Sequence, residues 1–251
     1  MSSPILLSLA HFCDKHGPRV ILVTQCGTSR DPLGENLLLP DFPTDTYCES
    51  CLIHLQEEGT NGVRSLRTVI GNVPYVTTQY SAIRFQLLTY IIKKAFSEET
   101  MVYDGTPLVF FDGLRGLNLI IGFKLYDENA RGNERRYSFI LTVDTVNEES
   151  AMQVISTHWN FILDGLNKMV EYIKVSHEKR LEEMQQRDNN WKTASDADFN
   201  AFSGTYLRAN KSKMPVNLTT LTNDNLLFVR IHKWNTFLLS SINSTIKVPA
   251  V

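Results

Sequence analysis

Short runs of branched and aromatic residues, punctuated by Gly, Pro and Asp, fill the first 143 residues. Beyond them, apolar residues recur at steps of three and four. Ile5 to Phe12 (ILLSLAHF) and Arg19 to Cys26 (RVILVTQC) have strand composition, and CDKHGP between them has the punctuation of a turn. This predicts an N-terminal hairpin. From Gly27 to Leu66 periodicity is lost, and Pro32, Gly34, Pro40, Pro43, Gly59 and Gly62 interrupt the chain. About 40 residues of this texture exceed an ordinary loop and predict a flexible insert, with LGENLLLPDF as a short docking segment inside it. Arg67 to Gln79 reads as an edge strand broken at Pro74.

Ile83, Leu87, Leu88, Ile91, Ile92 and Ala95 share one helical face, so Ser81 to Phe96 is expected to be a helix. Val102 to Phe111, Leu117 to Tyr126 and Tyr137 to Val143 read as strands with hairpin-length links. Asn147 begins the longest periodic run, with Met152, Ile155, Trp159, Ile162, Leu166, Met169 and Ile173 forming one stripe. Glu148 and Glu149 sit where the helix dipole favours negative charge. SHEKRLEEMQQRD continues it as a solvated helix. Residues 188 to 215 are polar and irregular. The cluster TNDN then suits a helix start, and Leu227, Ile231, Trp234, Phe237 and Leu238 mark a final amphipathic helix. Three consecutive strands after a helix imply an antiparallel meander, with a long helix on one face. The fold class is α+β, in two layers. The domain reading is 1–184 with 27–66 as insert, 185–217 as linker and 218–251 as a C-terminal helical tail.

Charge narrows the function classes. The formal net charge is -2, which offers no nucleic-acid footprint. The N-terminus lacks a basic region ahead of its short apolar run, and no stretch reaches the roughly 20 residues that cross a bilayer. No lipidation pattern is present. A cytosolic protein is expected, touching membranes only through a partner.

Candidate chemistry is sparse. Four cysteines, Cys13, Cys26, Cys48 and Cys51, are too few for a disulfide framework. Cys48-x-x-Cys51 followed by His54 is half of a zinc site. His11, Cys13 and His16 are the residues that would supply the other half. No second C-x-x-C exists, so reduced thiols in a loop, with no metal, is the reading taken here. There is no G-x-S-x-G, H-E-x-x-H or Walker loop. Phe111-Asp112-Gly113 is read as a turn. His158, Trp159 and the HKWN of His232 to Asn235 are read as core. The loop from Asp127 to Arg136 carries Arg131 beside Gly132, then Arg135 and Arg136. A loop tip on a strand hairpin is where functional residues are often placed. A solvated Arg131, or one paired with Glu128 or Glu134, is the plain alternative.

HFCDKHGPRV, Cys48-x-x-Cys51, ENARGNERRYSFI and LTTLTNDNLL occur in an order that resembles the folliculin family. Ending at Val251, the chain resembles that family's short fungal form, a longin domain without the C-terminal DENN domain. The resemblance implies a longin-like (profilin/roadblock-like) antiparallel sheet flanked by helices with a C-terminal helical extension. The longin order β-β-α-β-β-β-α-α agrees with the order read above.

It further implies a heterodimer with a folliculin-interacting-protein-type longin/DENN partner. That complex would stimulate GTP hydrolysis by the RagC/D-like subunit of a Rag GTPase heterodimer, at the vacuole or lysosome, in amino-acid signalling to the TOR kinase. The family's catalytic arginine lies in an A-R-G loop, and Arg131 matches it. Arg135 and Arg136 remain alternatives for the same role. No cofactor is implied. A non-catalytic longin scaffold that recruits a DENN-containing partner to the vacuolar membrane is the second hypothesis. A cytosolic enzyme with its own substrate is the third, and no motif speaks for it.

Overall fold

The computed structural model describes residues 5–27, 31, 48–53, 65–79, 85–97, 101–195 and 215–245, with backbone only for 85–87, 188–195 and 245. Its centre is a seven-stranded sheet in which every pairing is antiparallel. The strands are β1 (Ile5–Cys13), β2 (Gly17–Cys26), β3 (Ser65–Ile70), β4 (Val73–Thr78), β5 (Asp104–Asp112), β6 (Gly116–Tyr126) and β7 (Glu134–Val143). They lie in the order β3-β4-β2-β1-β7-β6-β5. The expected hairpin is β1–β2, and the expected meander is β5–β6–β7. Fold class and longin-like layering are as the sequence implied.

Side chains alternate between two cores. Leu7, Leu9, Leu119, Ile121, Phe139 and Leu141 face one helical layer, while Leu6, Ala10, Ile120 and Ile140 face the other. Among the described helices, α1 (Phe85–Ser97) is the one on the second face, burying Leu88, Ile91, Ile92 and Ala95 beside Met101. The first face carries α2 (Glu148–Thr157), α3 (Trp159–Ser195), α4 (Leu218–Thr222) and α5 (Leu227–Thr245). With both faces covered, the central strands are continuously apolar. This is why β6 reads as a nearly unbroken hydrophobic run.

Three details depart from the sequence reading. The stretch read as one edge strand broken at Pro74 is a complete hairpin. Gly71 and Asn72 both adopt positive φ, as a two-residue hairpin turn requires. Pro74 sits just past the last β2–β4 pair, so its missing N–H costs that ladder nothing, and its carbonyl accepts from the Gly27 N–H at 2.7 Å. Second, the long helix is two helices. His158 leaves helical geometry (φ -110°, ψ 12°) amid Thr157 and Trp159, all weak helix formers. Met152, assigned to the buried stripe, is exposed. Third, α3 runs through residues 185–195, into the segment read as linker. The apolar face of the final helix, α5, is buried with α4 in the same core as α2 and α3. Most of the insert, and LGENLLLPDF with it, lies outside the described residues.

A buried polar chain pins α5 to the sheet. Asn235 Nδ2 donates to Thr24 Oγ1 at 2.9 Å, and Thr24 and Thr77 hydroxyls meet at 2.7 Å. His232 bridges Thr77 (2.7 Å) and Thr68 (2.8 Å) through its two ring nitrogens. Burial, with the charge of Lys233 adding to it, lowers the His232 pKa to about 4. The folded state therefore resists a proton that the unfolded chain accepts below its ordinary value. Stability from this residue is complete above pH 6.5 and declines as the pH falls towards 4. Wild type is expected to lose about 1–2 kcal/mol more than His232→Gln between pH 7 and pH 5, measured by urea unfolding.

Gly116 opens β6 at φ +72°, and a Cβ there would lie 2.0 Å from the Val143 carbonyl oxygen. Neither the backbone angle nor the central-strand neighbour can yield cheaply. Gly116→Ala is expected to cost about 3 kcal/mol or more, seen as a lower urea midpoint at unchanged slope.

Candidate functional site

The β6–β7 hairpin ends in a loop whose backbone is closed on itself. The Ala130 N–H donates to the Asp127 carbonyl (2.9 Å), Asn133 to Ala130 (3.1 Å) and Asp127 to Asn133 (3.0 Å). The Asp127 carboxylate accepts the Asn129 N–H through Oδ1 (2.9 Å) and Arg135 Nε through Oδ2. Ala130 is buried beneath the tip. Gly132 (φ 72°) and Asn133 (φ 60°) are both left-handed and turn the chain back into β7. A Cβ on Gly132 would meet nothing within 4 Å, so the angle, rather than packing within this chain, calls for glycine.

The three arginines of this loop have different fates. Arg135 is buried, 4% exposed, on the inward face of β7, where its Nε donates to Asp127. Arg136 is exposed on the opposite face, its guanidinium 5.5 Å from the Tyr103 ring. Arg131 stands at the exposed tip, and no described residue pairs with its guanidinium. Glu134, a suggested partner, pairs with Lys124 at 2.9 Å. What holds Arg131 is its backbone: its N–H donates to Asp14 Oδ2 at 3.1 Å, from the β1–β2 turn. The tip is thus a fixed backbone carrying a cation that no described residue pairs.

Asp14 adjoins a second grouping. Cys13 ends β1, and His16 follows in the turn. Cys48 precedes and Cys51 ends a single helical turn, Glu49–Cys51. Their ligand atoms lie within 4.8 Å of one another. Cys13 Sγ is 3.5 Å from Cys48 Sγ and 3.6 Å from His16 Nδ1. Cys51 Sγ is 3.4 Å from His16 Nδ1 and 3.7 Å from Cys48 Sγ. The half-site has its complement after all, from Cys13 and His16. His11 is not part of it. It is buried and stacks on Tyr137, and His54 lies outside the described residues. Hydrogen bonding from Cys51, with the Lys15 and His16 backbone amides, pulls Cys13 far below the ordinary thiol range. That same bond, burial and the neighbouring sulfurs push Cys51 far above it. Cys26, the fourth cysteine, is buried elsewhere and its Sγ donates to the Gly27 carbonyl at 3.2 Å.

Sequence reasoning missed Asp14 and Asp127, the two carboxylates that set the loop. Neither stands in a motif. Only the β1–β7 register, in which His11 pairs with Tyr137, brings Asp14 beneath the tip.

Two surface concavities accompany α3 and α5. The larger, about 670 Å³, is lined mainly by Phe161, Met169, Trp234, Phe237 and Leu238. The smaller, about 280 Å³, is polar, between Tyr172, Arg180, Asp224 and Arg230. Neither gathers a nucleophile, a base and an orienting group among the described residues.

An antiparallel sheet with α1 on one face, the remaining helices on the other and an exposed arginine loop defines a longin-like domain. A sequence model of the Folliculin family, described as "Vesicle coat protein involved in Golgi to plasma membrane transport", matches residues 73–242. Protein LST7 of Saccharomyces cerevisiae is 59% identical over 250 residues, covering 99% of this chain and 100% of that protein. The chain belongs to the folliculin family. The match to the family model takes in the arginine loop and leaves out Cys13, His16, Cys48 and Cys51. No described helix is long and apolar enough to cross a membrane.

Proposed function

We propose that this chain is one subunit of a heterodimeric GTPase-activating complex, and that Arg131 enters the active site of a Rag-type GTPase in trans. The other subunit is a folliculin-interacting-protein-type longin/DENN protein. The substrate is GTP on the RagC/D-like subunit of the Rag heterodimer. The setting is amino-acid signalling to the TOR kinase, with the complex recruited from the cytoplasm to the vacuolar or lysosomal membrane through its partners. Family membership supports a folliculin-type regulator in membrane traffic. The finer reading rests on the arginine loop.

The observation that carries it is the division of labour among the three arginines. A residue that stabilises a transition state on another protein has to be exposed, permanently charged and already positioned. Arg131 is exposed, its guanidinium is uncommitted among the described residues, and its backbone is hydrogen-bonded at both flanks. In phosphoryl transfer, charge spreads over the γ-phosphoryl and leaving oxygens. A planar guanidinium placed there stabilises the transition state more than bound GTP.

The test is single-turnover GTP hydrolysis by each subunit of the Rag heterodimer, with the reconstituted partner complex. Acceleration confined to the RagC/D-like subunit, and dependent on Arg131, is the expected result. Undiminished acceleration by Arg131→Ala would make the chain a scaffold for a partner that carries the catalytic group.

A further inference from the structure

We propose that Cys13, His16, Cys48 and Cys51 bind a single zinc ion that fastens the β1–β2 turn to the chain beyond β2 and backs the arginine loop. The first support is shape. A tetrahedral ion with Zn–S bonds of about 2.3 Å and a Zn–N bond of about 2.05 Å sets S···S edges at about 3.8 Å and S···N edges at about 3.6 Å. Two of the three S···S edges here are 3.5 and 3.7 Å, two of the three S···N edges are 3.6 and 3.4 Å, and the remaining two lie within 4.8 Å. Disulfide sulfurs would stand at about 2.05 Å, and Cys13, Cys48 and Cys51 are not disulfide-bonded.

The second support is chain chemistry. The ligands come as two short knuckles, Cys13-x-x-His16 and Cys48-x-x-Cys51, on two segments that lie together in the fold. The first is a strand end and its turn, and Gly17 at φ +70° lets the turn close. The second is held from outside. Gln79 Nε2 donates to the Cys51 carbonyl (2.6 Å), and Asn217 Nδ2 donates to the Glu49 (3.0 Å) and Leu52 (2.7 Å) carbonyls. Such preset backbone is what a closed structural site uses. Three thiolates with one imidazole, all four positions supplied by protein, suit zinc over calcium or magnesium. With no open position, the ion is structural.

The third support is location. Asp14 lies between two of the ligands and accepts the Arg131 N–H. Fixing the turn therefore fixes the acceptor on which the tip rests. The site stands whether or not Arg131 acts on a GTPase, and Arg131→Ala is expected to keep its metal.

The experiment uses the full-length chain, purified without a histidine tag. Elemental analysis is expected to find about one zinc per chain. After chelation, cobalt(II) is expected to give the visible bands and near-ultraviolet thiolate charge transfer of a tetrahedral sulfur-rich site. Cys48→Ser combined with Cys51→Ser removes both signals, while Cys26→Ser keeps them. Chelation also speeds amide exchange at residues 127–133, and restored zinc reverses it. Should the double variant fail to fold, the cobalt spectrum of wild type still decides. The proposal is overturned by metal-free folded protein that takes up no tetrahedral cobalt. It is equally overturned by a disulfide among these cysteines, or by zinc retained in a folded double variant.

Discussion

Arg131→Ala is expected to lower the stimulated GTP hydrolysis rate by about 10³-fold or more, while partner assembly and GTPase binding persist. The magnitude follows from what the side chain does and what it does not do. Its side chain holds no described residue in place: it is exposed, and its only described hydrogen bond is made by its backbone N–H, which alanine retains. Circular dichroism and the urea midpoint should therefore match wild type within about 0.5 kcal/mol. Arg131→Lys should recover little. Lysine restores the charge but lacks the planar pair of donors, and its flexible stem has to be ordered in the transition state. Raising salt should weaken encounter with the GTPase in both proteins without closing the gap between them. Equal single-turnover rates for wild type and Arg131→Ala at saturating complex would sink the assignment.

The tip and its supports were unequally visible in the sequence. The strands that mount the loop announced themselves, because a sheet covered on both faces demands runs such as LIIGF and SFILTV. The β3–β4 hairpin was misread because Pro74 is a stronger local signal than Gly71-Asn72. What matters is where the proline falls relative to the neighbouring ladder, and that is a tertiary fact. The break at His158 was hidden for a related reason: the apolar stripe continues across it, with Ile155 and Ile162 both buried. For the site, Arg131 was reached through resemblance, and nothing local separated it from Arg135 and Arg136. The distinction lies in pairing and burial. The cysteines show the same limit. Each knuckle was present in the sequence, yet only the fold brings Cys13 and Cys48, far apart in the chain, to 3.5 Å.

The buried Arg135–Asp127 pair supplies the second large expected effect, one that separates architecture from catalysis. Both side chains are about 5% exposed, and the contact between Arg135 Nε and Asp127 Oδ2 pairs their opposite charges. Arg135→Ala leaves the Asp127 carboxylate buried without its cation, at an expected cost of about 3–5 kcal/mol. At about 2–4 °C per kcal/mol for a chain of this size, thermal unfolding should move down by roughly 6–20 °C. Asp127→Ala should be as damaging to stability and should also loosen the tip, because the same carboxylate accepts the Asn129 N–H that shapes it. Replacing the pair together, Arg135→Met with Asp127→Leu, should recover most of the lost stability, since neither charge is then stranded. It should not recover the shape of the loop. The kinetic signature differs accordingly. Arg135→Ala, assayed below its unfolding temperature, should keep more than about a tenth of the stimulated rate, as a residue acting through the fold does. Loss from Arg135→Ala as deep as that from Arg131→Ala, in protein shown to be folded, would transfer the catalytic role to Arg135. Burial at 4% exposure argues against that transfer, because the β7 backbone would have to move before its guanidinium reached another protein.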